Sequence, residues 1–248
     1  MSERIANAAL RQKVMSADDA ASLIKDGDQI GFGGFTGSGY PKVFPGALAK
    51  RIEAAHQRGE KFTVNTLTGA STAPELDGAL AGVDGIGWRM PYQSDPTMRS
   101  KINDGTSYYT DIHLSESGMM VRQGFFGKID FAVIEATRIT EDGKIVPTSS
   151  VGNNSAYCEV ADKIIIEVNS WQSEDLAGEG IDGIDGAGEP GALQVVQDGV
   201  AELPRVAGRA DDGDDPEAEE GVQTWLRSAA GLGHVSPRRS WAGAMTLS

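Results

Sequence analysis

The chain has 248 residues, with 22 Lys plus Arg against 36 Asp plus Glu, 32 glycines and one cysteine. A net charge of -14 repels phosphate backbones, so no nucleic-acid partner is expected; Cys158 alone excludes an internal disulfide, and with only His56, His113 and His234 beside it a Cys/His zinc site is out of reach. No apolar run approaches the roughly 20 residues of a membrane span, and Met1 to Met15 lacks the apolar core of a signal peptide, so the expectation is a cytoplasmic protein.

Residues 1 to 172 alternate short apolar runs with helical patterns and glycine-rich turns, the sequence signature of βα units. Ala17 to Lys25 reads as a helix capped by Ser16, with Ala20, Ala21, Leu23 and Ile24 on its apolar side. Asp28 to Phe32 reads as a strand. After a glycine loop, Phe44 to Arg58 carries Leu48, Ile52 and Ala55 at helical spacing and ends at Gly59. Phe62 to Leu67 is a second strand, and Pro74 marks a possible helix start. Asp130 to Glu135 and Lys163 to Val168 are β-branched runs with little polar interruption, as expected of parallel strands covered on both faces. Between them Thr140 to Lys144 is a tight turn with Gly143 supplying the positive φ, and a helix fits Asn153 to Ala161. The fold class expected is α/β, a mostly parallel open sheet flanked by helices.

The text changes character after Trp171. Residues 173 to 248 hold 5 basic and 15 acidic residues, with no lysine, Phe or Tyr. Such a segment buries little apolar surface to offset the roughly 1 to 2 kcal/mol of backbone entropy per ordered residue, so it is expected to be a low-order acidic tail. Within it, Asp211 to Glu217 is dense enough in like charge to extend the chain as a solvated linker rather than a metal loop.

The densest chemical signal is Gly31 to Pro41, with five glycines in nine residues between a strand and a helix. Loops at the C-terminal ends of strands are where open α/β sheets bind ligands, and a following helix N-terminus favours a carboxylate or phosphate. A turn that merely needs several positive-φ residues fits the same spacing. It is not a Walker loop, for want of Gly-Lys-Ser/Thr, and Phe35 stands where a dinucleotide fingerprint needs its third glycine.

Asp26-Gly27 through Gly33-Gly34-Phe35 to Gly39-Tyr40-Pro41 resembles the N-terminal signature of the class I coenzyme A transferases, with Gly31 a departure where an apolar residue is usual. Phe35 to Lys42, Leu67 to Ser71, Glu135 to Thr137, Ile139 to Gly143, Ile145 to Gly152 and Lys163 to Asn169 are similar to the acetyl-CoA hydrolase/transferase branch. The resemblance covers about residues 1 to 172, and implies the first of two similar domains, with 173 to 248 a divergent tail. It also implies acyl-CoA:carboxylate CoA transfer, or acetyl-CoA hydrolysis, through an attacking glutamate, with an acyl-CoA and short carboxylic acids as substrates and no cofactor beyond the CoA thioester itself. The pocket residues it implies are Gly33, Gly34, Phe35, Thr36, Gly37, Gly39, Gly69, Ala70, Ser71, Ser149, Ser150 and Gly152.

No catalytic residue is assigned. The family's nucleophilic glutamate belongs to the second domain, and Ser173-Glu174 and Glu179 lack the matching context. The expectation is an N-terminal half, inactive alone, whose tail reads like a GC-rich coding region in a shifted frame. The alternatives are a non-catalytic acid-binding or docking domain that needs a partner subunit or self-associates, and a sugar-phosphate isomerase of similar fold. Glu135 is read either as a perturbed carboxylate facing the cleft or as the partner of Arg138. Arg89 and Arg99 fit carboxylate binding or internal salt bridges, and His56 and His113 fit structural roles.

Overall fold

The computed structural model describes residues 4–70, 73–173 and 193–197, all within one compact unit that spans residues 1–202. In chain order the elements are α1 (Ala8–Arg11), β1 (Val14–Met15), α2 (Ala17–Ser22), β2 (Gln29–Phe32), α3 (Phe44–Gln57) and β3 (Val64–Leu67). A π-helical turn (Pro74–Gly78) leads into α4 (Ala79–Gly82), followed by β4 (Ile86–Met90), α5 (Pro96–Asn103), β5 (Tyr108–Tyr109) and α6 (Leu114–Arg122). The remainder is β6 (Ile129–Ile139), β7 (Ile145–Pro147), α7 (Asn154–Val160), β8 (Ala161–Val168) and β9 (Leu193–Gln197).

The strands form one sheet in the order β1-β9-β8-β6-β2-β3-β4-β5, with β7 paired to β6. Every pairing is parallel except the β6–β7 hairpin. The hairpin turns where expected, with Gly143 at φ 86 and its N–H on Thr140 O at 3.1 Å. Successive side chains of a strand face opposite sides, so Ile30, Val64, Phe131, Val133 and Ile165 pack under α2, α3 and α4, while Leu67, Ala132, Ile134, Ile164 and Ile166 pack under α6 and α7.

This topology has a switch point. From β2 the chain runs outward through β3 and β4 to β5, then returns so that β6 lies on the other side of β2, with β8 and β9 beyond it. The connections change face with direction: α3, α4 and α5 line one side, α6 and α7 the other. Open sheets of this kind leave a crevice at the C-terminal ends of the two strands flanking the reversal, here β2 and β6.

Local chemistry explains the helix starts. Ser16 Oγ accepts from Asp19 N at 3.0 Å to cap α2, and Asp95 Oδ1 accepts from Met98 N at 2.9 Å to cap α5 ahead of Pro96. α2 stops at Ser22, short of the expected Lys25, and β6 runs to Ile139, beyond the expected Glu135. The composition of 173 to 248 gives no sign of a strand, yet Leu193–Gln197 lies between β1 and β8, with Val195 and Val196 buried. The expected acidic linker at Asp211 to Glu217 lies outside the described residues.

Candidate functional site

Three loops meet at the mouth of the β2/β6 crevice. Residues 33–41 follow β2, 68–70 follow β3, and 148–152 follow β7. Gly34 is their centre. A Cβ on either Gly69 or Gly152 would come within 2.2 Å of the Gly34 carbonyl oxygen, and Gly34 pairs with Gly152 in a short parallel bridge. A Cβ on Gly39 would reach Ser150 O at 2.7 Å, and Ser38 Oγ lies 2.8 Å from Ser149 Oγ. These close approaches are possible only because the residues are glycine, and Gly34, Gly39 and Gly152 also have positive φ. Gly33, Phe35 and Thr36 lie in the same loop. Ser71 lies outside the described residues.

Gly37 differs from its neighbours. It is exposed at the loop tip, its φ is not positive, and a Cβ there would touch nothing within 4 Å. Packing therefore does not require glycine at this position. Two non-glycine residues of the loops, Thr36 (φ 50) and Ala70 (φ 79), hold a left-handed backbone that costs a side chain about 1 kcal/mol or more.

The loop amides are less open than the sequence implies. Gly33 N–H donates to Val133 O at 2.9 Å, Gly34 N–H to Asn154 Oδ1 at 3.1 Å, Phe35 N–H to Ser38 O at 2.9 Å, and Ser38 N–H to Phe35 O at 3.1 Å. Gly37 N–H donates to no described residue. The N-terminus of α3, expected to attract an anionic ligand, already holds one from the chain itself. Glu167 accepts from the N–H groups of Lys42 at 2.6 Å, Val43 at 3.1 Å and Phe44 at 2.9 Å. Its carboxylate meets the helix dipole in place of a ligand. Burial, with the charge of Glu135 nearby, raises the Glu167 carboxyl to about 7 against the pull of those three amides.

Glu135 is also buried, and it does not pair with Arg138. Its Oε1 accepts from Lys42 Nζ and from Asn169 Nδ2 at 2.9 Å, and its Oε2 from the Thr148 hydroxyl. Lys42 Nζ also donates to Tyr40 O at 2.8 Å and sits over the Tyr40 ring.

Arg89 is fully buried and internal. It forms a forked pair with Asp77 at 2.9 and 2.8 Å and donates to the carbonyls of Ala70, Met90 and Pro91, which fixes the Ala70 turn from beneath. Arg99 donates to Ser94 O at 2.8 Å, and His56 Nε2 lies 2.9 Å from Phe62 O. The departure at Gly31 has a packing cause, because a Cβ there would lie 2.5 Å from Cγ of the buried Tyr157. The Tyr157 hydroxyl donates to Thr68 O at 3.1 Å and so supports the second loop. Sequence reasoning missed Glu167, Asn154 and Tyr157, whose partners are all distant along the chain.

The class the fold defines is an α/β domain with a doubly covered parallel sheet and glycine loops at its switch point. RipA from Yersinia pestis has this fold at a TM-score of 0.58 and 17% identity, over 77% of this chain and 43% of that one. Glutaconate coenzyme A-transferase from Acidaminococcus fermentans matches at 0.53 and 15%, over 75% of each chain. The acetyl-CoA hydrolase/transferase N-terminal domain matches residues 2–186, and the chain belongs to that family. It is 43% identical over 176 residues to succinyl-CoA:acetate CoA-transferase of Clostridium kluyveri, 71% of this chain and 32% of that protein. It is 41% identical to propanoyl-CoA:succinate CoA transferase of Escherichia coli, over 66% of this chain and 33% of that one. Acetyl-CoA hydrolase of Kluyveromyces lactis is 41% identical over 68% of this chain and 34% of its own length. The chain thus spans about a third of the length of these curated relatives. Among the described residues no helix is long and apolar enough to cross a membrane.

Proposed function

We propose that this domain forms the glycine-lined wall of an acyl-CoA pocket and works in CoA transfer from an acyl-CoA, such as succinyl-CoA, to a short carboxylic acid such as acetate, or to water. The observation that carries this is the meeting of three glycine loops around Gly34 at the switch point, in a chain of this family. Gly37 adds to it: an exposed glycine with an open amide and no packing role suits a ligand lying against the loop tip.

The chemistry divides one acyl transfer into easier steps. A carboxylate attacks the thioester carbonyl, the C–S bond breaks, and an acyl anhydride and CoA thiolate result. The thiolate attacks the enzyme-side carbonyl of the anhydride, which releases the first acid and leaves an enzyme–CoA thioester. The second acid repeats the sequence in reverse, attacking the enzyme–CoA thioester to form an anhydride whose acyl carbonyl then takes back the CoA thiolate; water instead cleaves the thioester directly to free CoA and the enzyme carboxylate. The CoA thiolate and acyl groups change partners with no change of oxidation state, so the steps call for no redox cofactor.

The attacking carboxylate lies outside residues 4–173. Of the glutamates at this end of the sheet, Glu135 and Glu167 are about 1% exposed with their oxygens committed to Lys42, Thr148, Asn169 and the α3 amides, and the half-buried Glu75 accepts from the Tyr40 hydroxyl at 2.9 Å. A full-length chimera of the Clostridium kluyveri relative, carrying residues 4–173 of this chain, tests the assignment. Transfer of CoA from succinyl-CoA to acetate is expected. A folded chimera with neither transferase nor hydrolase activity would refute it, and a CoA thioester trapped on Glu75, Glu135 or Glu167 would refute the position of the nucleophile.

A further inference from the structure

The glycine loops touch through backbone and hydroxyl contacts, which by themselves resist sliding weakly. One charged side chain joins the ends of two of them. Lys42 follows Pro41 at the close of the first loop, and Thr148 opens the third. Both donate to the same buried carboxylate: Lys42 Nζ to Glu135 Oε1 and the Thr148 hydroxyl to Glu135 Oε2. Asn169, just past β8, donates to Oε1 as well, at 2.9 Å. Glu135 itself belongs to the long strand β6 and is 1% exposed, so its position is fixed by the sheet.

We propose that Glu135 is a positioning residue, a yoke that holds the Gly33–Pro41 loop and the Thr148–Gly152 loop at one fixed separation. The carboxylate is suited to the task. It is short, rooted in a central strand and able to accept from both loops at once through different oxygens, so neither loop can shift without breaking a charge-assisted bond. Lys42 contributes from the other end: its ammonium is held by Tyr40 O and Glu135, and its N–H by Glu167, so the residue two before α3 is fixed at side chain and backbone. The contacts on which the spacing depends lie a few residues away, at Gly39 against Ser150 and Ser38 against Ser149. The consequence for acyl transfer rests on the assignment of these loops as the pocket wall; the yoke itself does not.

The loop separation can be read without any activity. With Ser38→Cys and Ser149→Cys in the same chain, two thiols replace hydroxyls 2.8 Å apart. The equilibrium between their disulfide and a glutathione buffer gives the effective concentration of one thiol at the other. Cys158 does not interfere, being fully buried with its thiol pushed up to about 12. Adding Glu135→Gln is expected to lower the effective concentration about tenfold. Thr148→Val, a milder change that leaves Glu135 and Lys42 paired, should lower it by a smaller factor. Combined with Glu135→Gln, it should add almost nothing. Leu80→Ala, which opens the core beneath α4 and touches neither Glu135 nor its hydrogen-bond partners, is the control for lost stability alone and should leave the value unchanged. The proposal is overturned if Glu135→Gln and Thr148→Val match the unsubstituted pair of thiols, or if Leu80→Ala lowers the value as much as they do. In the chimera, a yoke that matters for catalysis makes Glu135→Gln raise KM for the acyl-CoA more than it lowers kcat. A fall in effective concentration with unchanged kinetics would keep the yoke and remove its link to the pocket.

Discussion

Glu135 and Glu167 stand opposite each other on neighbouring parallel strands and divide one lysine between them: Glu135 accepts the Lys42 ammonium, Glu167 the Lys42 backbone N–H. Two buried carboxylates side by side would repel strongly. The arrangement persists because each has a different positive partner, an ammonium for one and the N-terminus of α3 for the other.

The stability of the fold should therefore depend on pH through Glu167. Its carboxyl is raised from the ordinary 4.5 to about 7, chiefly by burial, so the folded chain holds the proton more tightly than the unfolded chain. That contribution is fully present below pH 4.5 and is lost as pH rises towards about 7. Urea titrations across this window should show Glu167→Gln losing less stability with rising pH than the unsubstituted chain. The difference in slope is at most about 1.4 kcal/mol per pH unit. Identical slopes would show that Glu167 titrates normally.

Gly31 and Tyr157 should be energetically coupled. Gly31→Ala drives a Cβ into the Tyr157 ring and should cost about 2 kcal/mol. Tyr157→Ala should cost about 3 to 5 kcal/mol. In the double variant the total should fall short of the sum by about 1 kcal/mol or more, because the added methyl enters the space the ring vacates. Strict additivity in denaturant unfolding would contradict this packing.

The buried Arg89–Asp77 pair should be costly to break from either side. Asp77→Ala strands a guanidinium with no counter-charge and should destabilise the domain by about 3 to 5 kcal/mol. Arg89→Met paired with Asp77→Leu should recover much of that loss, since neither charge remains to be desolvated. The double variant also removes the Arg89 bond to the Ala70 carbonyl, leaving it the Thr68 hydroxyl alone, so thermal stability should return before acyl-CoA binding in the chimera does.

The glycines of the site separate into two kinds. Gly152→Ala would force a Cβ to 2.2 Å from Gly34 O and should destabilise by about 3 kcal/mol. Gly37→Ala meets open space and should change stability by about 0.5 kcal/mol or less. In the chimera Gly37→Ala should still weaken acyl-CoA binding several-fold, which calorimetry would register.

Sequence reasoning singled out the first loop because five glycines in nine residues stand between a strand and a helix, and it found β6 and β8 because buried parallel strands read as nearly unbroken β-branched runs. It assigned little between Gly78 and Lys128. There β5 is two residues at a sheet edge, and α5 buries only Met98 fully, so neither carries a strong period. β9 escaped notice because Val195 and Val196 lie in glycine- and acid-rich text; their burial comes from β1 and β8 on either side. The site's polar support was illegible for a related reason. Val43 offers α3 no capping side chain, and the cap arrives from Glu167 on another strand. The unusual Gly31 was visible, but the ring that demands it comes from α7.

The assignment of the three loops to an acyl-CoA pocket is tested most directly by hydrogen exchange on the chimera, with and without a CoA thioester. Slowed exchange is predicted in the peptides covering 33–40, 68–73 and 148–153 together. Protection confined to other segments, with those three unchanged, would contradict it.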